Sequence, residues 1–326
     1  MKTRSLVLAA ALAAASVATQ ASTTSINLGN YSVTGTYSLG LTAGTGGAVS
    51  GLEASAVTYA RDRGTLFFVG DEGTGVIETT LTGQTLGAMS FNWASTGSSK
   101  HDTEGLTYLG NGKLVVTEER LYDAYSFNYA AGGNAGLVSS GVSISNANVG
   151  NDGLEGISYD PRNGSFVTVK QDIPEDILAG NLTFGANLTG TSTMTNLFNP
   201  TLLGVSTFSD VQTLSPVDAL VGTSAADNLL VLSLGSRKLL EVNRAGQILS
   251  SFDLSGVLPR NGIEGVTIDE HGTIYLVAEQ IQDGVIPEGA ASQLIVLTAA
   301  VPEPGTYAML FAGLGLIGFM ARRRKS

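Results

Sequence analysis

The chain has 326 residues, no cysteine, and 28 acidic against 17 basic side chains. Without cysteine it has no disulfide framework, thiolate metal site or cysteine nucleophile. Residues 22–301 alone hold 11 basic and 27 acidic side chains. Their net charge of −16 repels nucleic acid and anionic lipid and attracts cations.

The first 21 residues are predicted to be a signal peptide. Lys2 and Arg4 precede an apolar run over residues 6–18, and the small residues around Ala21 suit cleavage by signal peptidase. The apolar run is shorter than the roughly 20 residues that span a bilayer. We therefore expect export and removal of residues 1–21; the alternative is a short buried helix.

A phrase that starts with an acidic residue recurs through residues 22–301. It reads Glu-Gly, an apolar residue and then Thr or Ser at Glu104, Glu155 and Glu264, and it is weaker at Glu53 and Asp210. The successive gaps are 51, 51, 55 and 54 residues, which leaves room for a four-stranded unit with its turns.

Each phrase is followed, usually after a Gly turn, by a second strand with period-two alternation. No stretch keeps an apolar face at helical spacing, so the body is predicted to be all-β. The second strands lie near residues 65–69, 113–117, 165–169, 228–233 and 273–277, and outer strands are visible at 75–81, 84–91, 238–243 and 247–254.

Five such units predict a β-propeller, with residues 22–301 as its single domain. Residues 25–41 are strand-like but lack the phrase. They could supply the strand that closes the ring, or they could belong to a degenerate sixth blade, although five blades are favoured. A solenoid is the alternative architecture, but it would need capping repeats and usually has shorter periods.

The last 25 residues, 302–326, are predicted to be a sorting tail with a membrane helix. Pro302, Glu303 and Pro304 precede an apolar stretch over residues 307–321 and a basic cluster at 322–325. This order resembles the PEP-CTERM sorting signals, whose substrates are held in the inner membrane and cut by an exosortase. The resemblance implies release to the cell surface or the extracellular matrix of bacteria that make exopolysaccharide. The alternative is a plain C-terminal anchor.

The body resembles the SdiA-regulated (YjiK-like) family of envelope β-propellers. The residues that carry the resemblance are 261–269 with 274–279, and 227–233 with 236–243. The likeness covers most of residues 50–298 and implies a calcium-linked role in the cell envelope rather than a defined reaction. The Glu-Gly phrase also occurs in phytase-like esterase propellers.

A closed ring would bring the leading acids to one level near its axis, where unpaired charges are costly. The second strands, aligned on their Gly turns, add a column of Asp71, Glu119, Gln171 and Glu279. These acids could bind calcium, which takes six to eight oxygen ligands, or they could be satisfied by backbone N–H groups of the next blade. The predicted calcium ligands are Glu104, Glu155 and Glu264, with Asp102, Glu119 and Glu279 as auxiliary ligands.

The favoured function is binding or scaffolding by an exported, monomeric protein, with matrix polysaccharide or an envelope protein as partner and no nucleic acid. No catalytic residue is predicted. The alternative is a calcium-dependent, phytase-like phosphoesterase that uses Lys100, His101, Arg120 and Lys170 on an anionic substrate. With only two histidines in the chain, a zinc site of usual composition is not expected.

Overall fold

Short strands that bury both faces are the building elements of this chain. The computed structural model describes residues 23–44, 47–71, 73–145, 150–171, 174–282 and 285–300. Among these residues there are no α-helices and no helix long and apolar enough to cross a membrane. The predicted signal peptide and sorting tail lie outside the described residues.

Five sheets, each with four antiparallel strands, form five blades. Blade 1 consists of Ala54–Ala60, Thr65–Gly70, Gly75–Thr79 and Thr85–Asn92, with Asn134–Gly136 added in parallel at its outer edge. Blade 2 consists of Gly105–Gly110, Lys113–Glu118, Asp123–Asn128 and Gly141–Ser143. Blade 3 consists of Leu154–Asp160, Ser165–Lys170, Asp176–Gly180 and Thr195–Asn196. Blade 4 consists of Phe208–Thr213, Leu229–Ser233, Lys238–Val242 and Ile248–Asp253.

Blade 5 joins the two ends of the described chain. Its strands Ile263–Ile268, Ile274–Ala278 and Gln293–Ala299 are completed by Tyr31–Ser38, which pairs antiparallel with Gln293–Ala299. The N-terminal segment therefore supplies the closing strand of the fifth blade and not a sixth blade. The prediction of a five-bladed propeller is confirmed.

Small elements connect the blades. Two short hairpins pair Thr42–Ala43 with Val49–Ser50 and Leu182–Thr183 with Thr191–Ser192. Short 3₁₀ helices lie at Leu28–Asn30, Leu137–Ser139, Ala186–Leu188, Pro200–Leu203, Asp218–Leu220 and Ser224–Asp227.

The hydrophobic core is divided among the five blade junctions. One cluster of buried side chains lies at each junction, from blades 1 and 2 around to blades 5 and 1. The inner strands of neighbouring blades also contact one another around the whole ring. Each sheet is thus covered on both faces, and the ring leaves only the short outer edges of the blades open.

Candidate metal centre

A backbone hydrogen bond repeated in all five blades marks equivalent positions at one mouth of the propeller. In each blade, the N–H just after the second strand donates to a carbonyl just before or at the start of the inner strand, at 2.8–3.1 Å. The donor and acceptor pairs, in blade order, are Asp71 and Glu53, Glu119 and Asp102, Gln171 and Gly153, Leu234 and Thr207, and Glu279 and Gly262.

This register corrects the alignment of the two weak phrases. The leading position lies two residues after each carbonyl acceptor, so Ser55 and Ser209 occupy in blades 1 and 4 the place of Glu104 in blade 2. The sequence alignment predicts Glu53 at this position in blade 1 and Asp210 in blade 4. Both assignments are wrong, the first by two residues and the second by one. Three glutamates and two serines therefore form the leading ring, and not five acids.

The leading residues of blades 1, 3, 4 and 5 lie at β-bulges, which explains how an acid at the start of a buried strand can reach the axis. The inner strands of blades 1, 3, 4 and 5 each change register here, for example between Ile263 and Gly265 around Glu264. A bulge changes the face of the sheet on which the following side chains lie. Val266, which simple alternation would place on the face of Glu264, is buried in the junction core, whereas Glu264 lines a cavity.

All six predicted ligands line one cavity of about 250 Å³ at this mouth. Blade 4 contributes only Leu234, so the acidic lining comes from the other four blades. The eight carboxylates are those of Glu53, Asp71, Asp102, Glu104, Glu119, Glu155, Glu264 and Glu279, and the two amides are those of Asn151 and Gln171.

Three carboxylates lie close together between blades 1 and 2. One carboxylate oxygen each from Asp71, Asp102 and Glu104 can be chosen so that all three lie within 4.8 Å of one another. Asp71 belongs to the column of residues after the second strands, but it is not among the six calcium ligands predicted from the sequence. The missed signal was its equivalence to Glu119 and Glu279, which were included.

Four glutamates at this mouth resist ionisation. Burial, reinforced by the other acids in the cavity, raises the pKa values of Glu104, Glu155 and Glu264 well above the usual range. Burial also raises the pKa of Glu119 to about 8, with Asp102 adding to the effect and the N–H of Gly153 and Arg120 opposing it. The cavity is therefore poised to accept positive charge, as protons or as a cation.

Arg120, one of the four basic residues of the phosphoesterase alternative, contacts a carboxylate that lines the cavity. Its Nε lies 2.7 Å from Asp102 Oδ2, and it also donates to Asn151. His101 is exposed and stacks on Trp93, with ring centroids 5.1 Å apart. The ammonium of Lys170 donates to the carbonyl of Pro174 at 3.2 Å, and Lys100 is exposed.

Asp210 is satisfied by backbone N–H groups, which is the structural alternative to calcium binding. It is 3% exposed, and its two oxygens accept the N–H groups of Val211 and Val266, each at 2.7 Å. Burial raises its pKa, and these two hydrogen bonds oppose the rise. It joins blade 4 to blade 5 and does not line the acidic cavity.

The fold and this mouth define a five-bladed β-propeller with an acidic axial cavity. The sequence matches the SdiA-regulated family over residues 36–280 and the PEP-CTERM protein-sorting motif over residues 300–325. The chain belongs to the SdiA-regulated family. The sorting motif implies export, membrane-anchored sorting and processing by an exosortase.

Solved structures resemble this fold at low sequence identity. A chain of the nidogen/laminin complex is 10% identical with a TM-score of 0.42, and the match covers 73% of this chain and 79% of that one. The Cps50 (Swd1) β-propeller domain of Myceliophteria thermophila is 15% identical with a TM-score of 0.38, and the match covers 71% and 63% of the two chains.

Proposed function

We propose that this protein is an exported, non-catalytic binding protein of the cell surface or extracellular matrix that holds calcium at the acidic mouth of its propeller. The observation that carries the proposal is the convergence of eight carboxylates on one cavity of about 250 Å³. Their mutual repulsion opposes folding unless protons or a cation neutralise them.

The chemistry of the lining favours calcium over other divalent ions. All its polar groups are carboxylates and amides, which are the hard oxygen ligands that calcium takes in sets of six to eight. Magnesium demands a tight octahedron and retains its waters, so a wide ring of acids suits it less well. Zinc favours histidine and thiolate ligands, and the cavity lining contains neither.

The distribution of basic residues favours binding over phosphate-ester hydrolysis. A phosphoesterase needs cations that converge on the anionic substrate beside the metal. At this mouth Arg120 is engaged by Asp102 and Asn151, and His101 stacks on Trp93 at the surface. The phytase-like alternative therefore has little support from the lining.

Thermal melts of the full-length protein, purified in a sugar-free zwitterionic detergent, test the calcium site. Calcium at about a hundred times its Kd adds about 2.7 kcal/mol to the unfolding free energy of a protein that binds it only when folded. We expect a rise in Tm of several degrees over the chelator-treated protein, since about 2–4 °C accompany each kcal/mol in domains near this size. Millimolar magnesium should raise Tm less.

A matched pair of variants separates the site from general charge effects. Glu155→Gln removes one buried carboxylate from the cavity, and Asp253→Asn removes one exposed carboxylate from the outer strand of blade 4. The calcium-induced rise in Tm should shrink in Glu155→Gln and persist in Asp253→Asn. Equal melting temperatures in chelator and in calcium would overturn the proposal and leave the acids with a structural role alone.

The proposed location follows from the two ends of the chain. Signal peptidase would remove residues 1–21, and the tail would hold the protein in the inner membrane until an exosortase releases it to the surface or matrix. A matrix polysaccharide or an envelope protein is the proposed partner. A closed ring with short outer edges supports a monomer.

A further inference from the structure

A second cavity, of about 520 Å³, lies at the mouth opposite the acidic one. The five inner strands run in the same direction, with the leading ring at their start and this cavity at their end. The walls are formed by Tyr59, Tyr108 and Tyr159, which occupy equivalent positions in blades 1, 2 and 3. A volume of this size lies within the range of about 300–1,000 Å³ typical of small-molecule sites.

A ring of hydroxyl and amide groups forms the floor of this cavity. Thr58, Thr107 and Thr267 line it, and each hydroxyl oxygen accepts the N–H of a tyrosine in the next blade at 3.0 Å. The Thr267 hydroxyl also donates to Gln212 Oε1 at 3.2 Å. These inter-blade hydrogen bonds lie between the two mouths, so the second cavity is a separate site.

Packing holds the tyrosine rings in place. Tyr59 stacks on Tyr275 with ring centroids 6.4 Å apart, and Tyr108 stacks on Phe67 with centroids 6.0 Å apart. Burial and a hydrogen bond with Asp62 raise the pKa of Tyr108 to about 12, so its phenol stays protonated. Fixed, neutral aromatic walls lose little conformational entropy when a ligand binds.

The charges around the cavity disfavour an anionic ligand. Arg61, the one cation in the lining, is held by Asp218 through two hydrogen bonds of 2.8 Å. Asp62 and Glu270 line the same cavity, and both bring negative charge to it. A ligand with a phosphate or carboxylate would therefore meet repulsion without a free cation to offset it.

We propose that this tyrosine-lined cavity binds a neutral sugar ring. A pyranose offers an apolar C–H face that packs on a tyrosine ring, and a rim of hydroxyls that donate to carboxylates. Asp62 and Glu270 would accept those donors, and hydrogen bonds to charged groups are the stronger kind. Gln212 and Asn111 also line this cavity.

Fluorine NMR on the full-length protein containing 3-fluorotyrosine tests binding and location together. The probes are the methyl glycosides of glucose, galactose, mannose, rhamnose and N-acetylglucosamine, with methyl glucuronide as the anionic comparison. The detergent must carry no sugar headgroup. We expect at least one neutral glycoside to shift the signals of Tyr59, Tyr108 and Tyr159, while Tyr122 and Tyr125, which lie elsewhere in the core, stay unchanged.

Variants confirm the assignment. Tyr159→Leu keeps an apolar side chain but removes one flat wall, and we expect it to weaken binding about tenfold. Asp253→Asn, on the outer strand of blade 4 and away from both cavities, should leave the affinity unchanged. Neither variant alters the acidic mouth, so failure of the calcium proposal would not affect this test. If Tyr159→Leu has a much lower Tm than the wild type, Asp62→Asn replaces it. This variant keeps all three tyrosine rings and should also weaken binding.

Three results would overturn the proposal. They are no shift with any neutral glycoside, shifts of equal size at Tyr122 and Tyr125, and preferential binding of the glucuronide.

Discussion

Gly156 in blade 3 lies against Asp210 in blade 4, where the inner strands of the two blades approach the axis. A Cβ at Gly156 would stand 2.5 Å from the Cα of Asp210 and 2.1 Å from its Oδ1. The glycine of the repeated phrase thus permits the close approach of adjacent inner strands. Gly265 shows the same contact at the closing junction, where a Cβ would lie 2.9 Å from Ala56 Cα.

We expect Gly156→Ala to lower the unfolding free energy by about 1–3 kcal/mol or more, because overpacking at a backbone contact forces the strands apart. Urea denaturation measures the loss. Gly136→Ala is the matched control, since nothing lies within 4 Å of a Cβ at that exposed position. Equal stability of the two variants would contradict the role assigned to the phrase glycine.

Glu241 holds the N-terminal segment against blade 4. It is fully buried and accepts hydrogen bonds from the backbone of Ile26 and Asn27 and from the side chains of Ser25, Asn228 and Ser250.

Replacement of Glu241 by Ala should lower the unfolding free energy by about 3 kcal/mol, because several buried donors lose their acceptor at once. The exposed Glu288→Ala should change it by less than about 0.5 kcal/mol. Chemical denaturation of both variants checks this, and a Glu241 variant as stable as the wild type would show that the N-terminal segment is not anchored there.

The Thr107 hydroxyl ties blade 2 to blade 3 through the N–H of Tyr159, at 3.0 Å. Thr107→Val keeps the shape of the side chain but leaves that N–H without its acceptor. We expect a loss of about 1–3 kcal/mol in the unfolding free energy. Thr195→Val, at an exposed position on the outer strand of blade 3, should be nearly neutral; a similar loss in both would point to an effect of valine itself.

The metal-free protein should become less stable as pH rises. The folded-state pKa of Glu119, about 8, lies above the ordinary value of 4.5. Between these two values the folded protein keeps a proton that the unfolded chain has released, so the unfolding free energy falls as pH increases through this window. Glu104, Glu155 and Glu264 shift in the same direction.

Urea denaturation of chelator-treated protein at pH 5, 6, 7 and 8 measures this dependence. Glu119→Gln should flatten it, whereas Asp253→Asn should not. Stability that is constant or increases across the window would contradict the repulsion inferred for the acidic cavity.

Deletion of residues 302–326 should release the protein into the medium or periplasm, since the PEP-CTERM sorting motif matched over residues 300–325 implies membrane-anchored sorting. Cell fractionation and immunoblotting compare the truncated and full-length proteins. Recovery of the truncated protein in the membrane pellet would require an anchor elsewhere.

The repeating unit and the acidic mouth could be predicted from the sequence. The Glu-Gly phrases at Glu104, Glu155 and Glu264 recur at the length of one blade, and in blades 1, 2, 3 and 5 a short turn joins the inner strand to the second strand. Such local signals are legible without tertiary structure, because strand alternation and turn chemistry depend on neighbouring residues. These signals were enough to predict five blades. They also predicted that the leading acids lie at one level near the axis, and the six candidate ligands line one cavity there.

The register at the axis and the second mouth depend on contacts that form when the ring closes. Bulges in the inner strands put Ser55 and Ser209 where acids had been aligned, and the pairing of Tyr31–Ser38 with Gln293–Ala299 decided between a closing strand and a sixth blade. Tyr108 and Tyr159 lie in different blades, and closure of the ring brings them to one cavity. These features depend on contacts between residues of different blades, and a one-dimensional pattern does not encode which side chains meet when the ring closes.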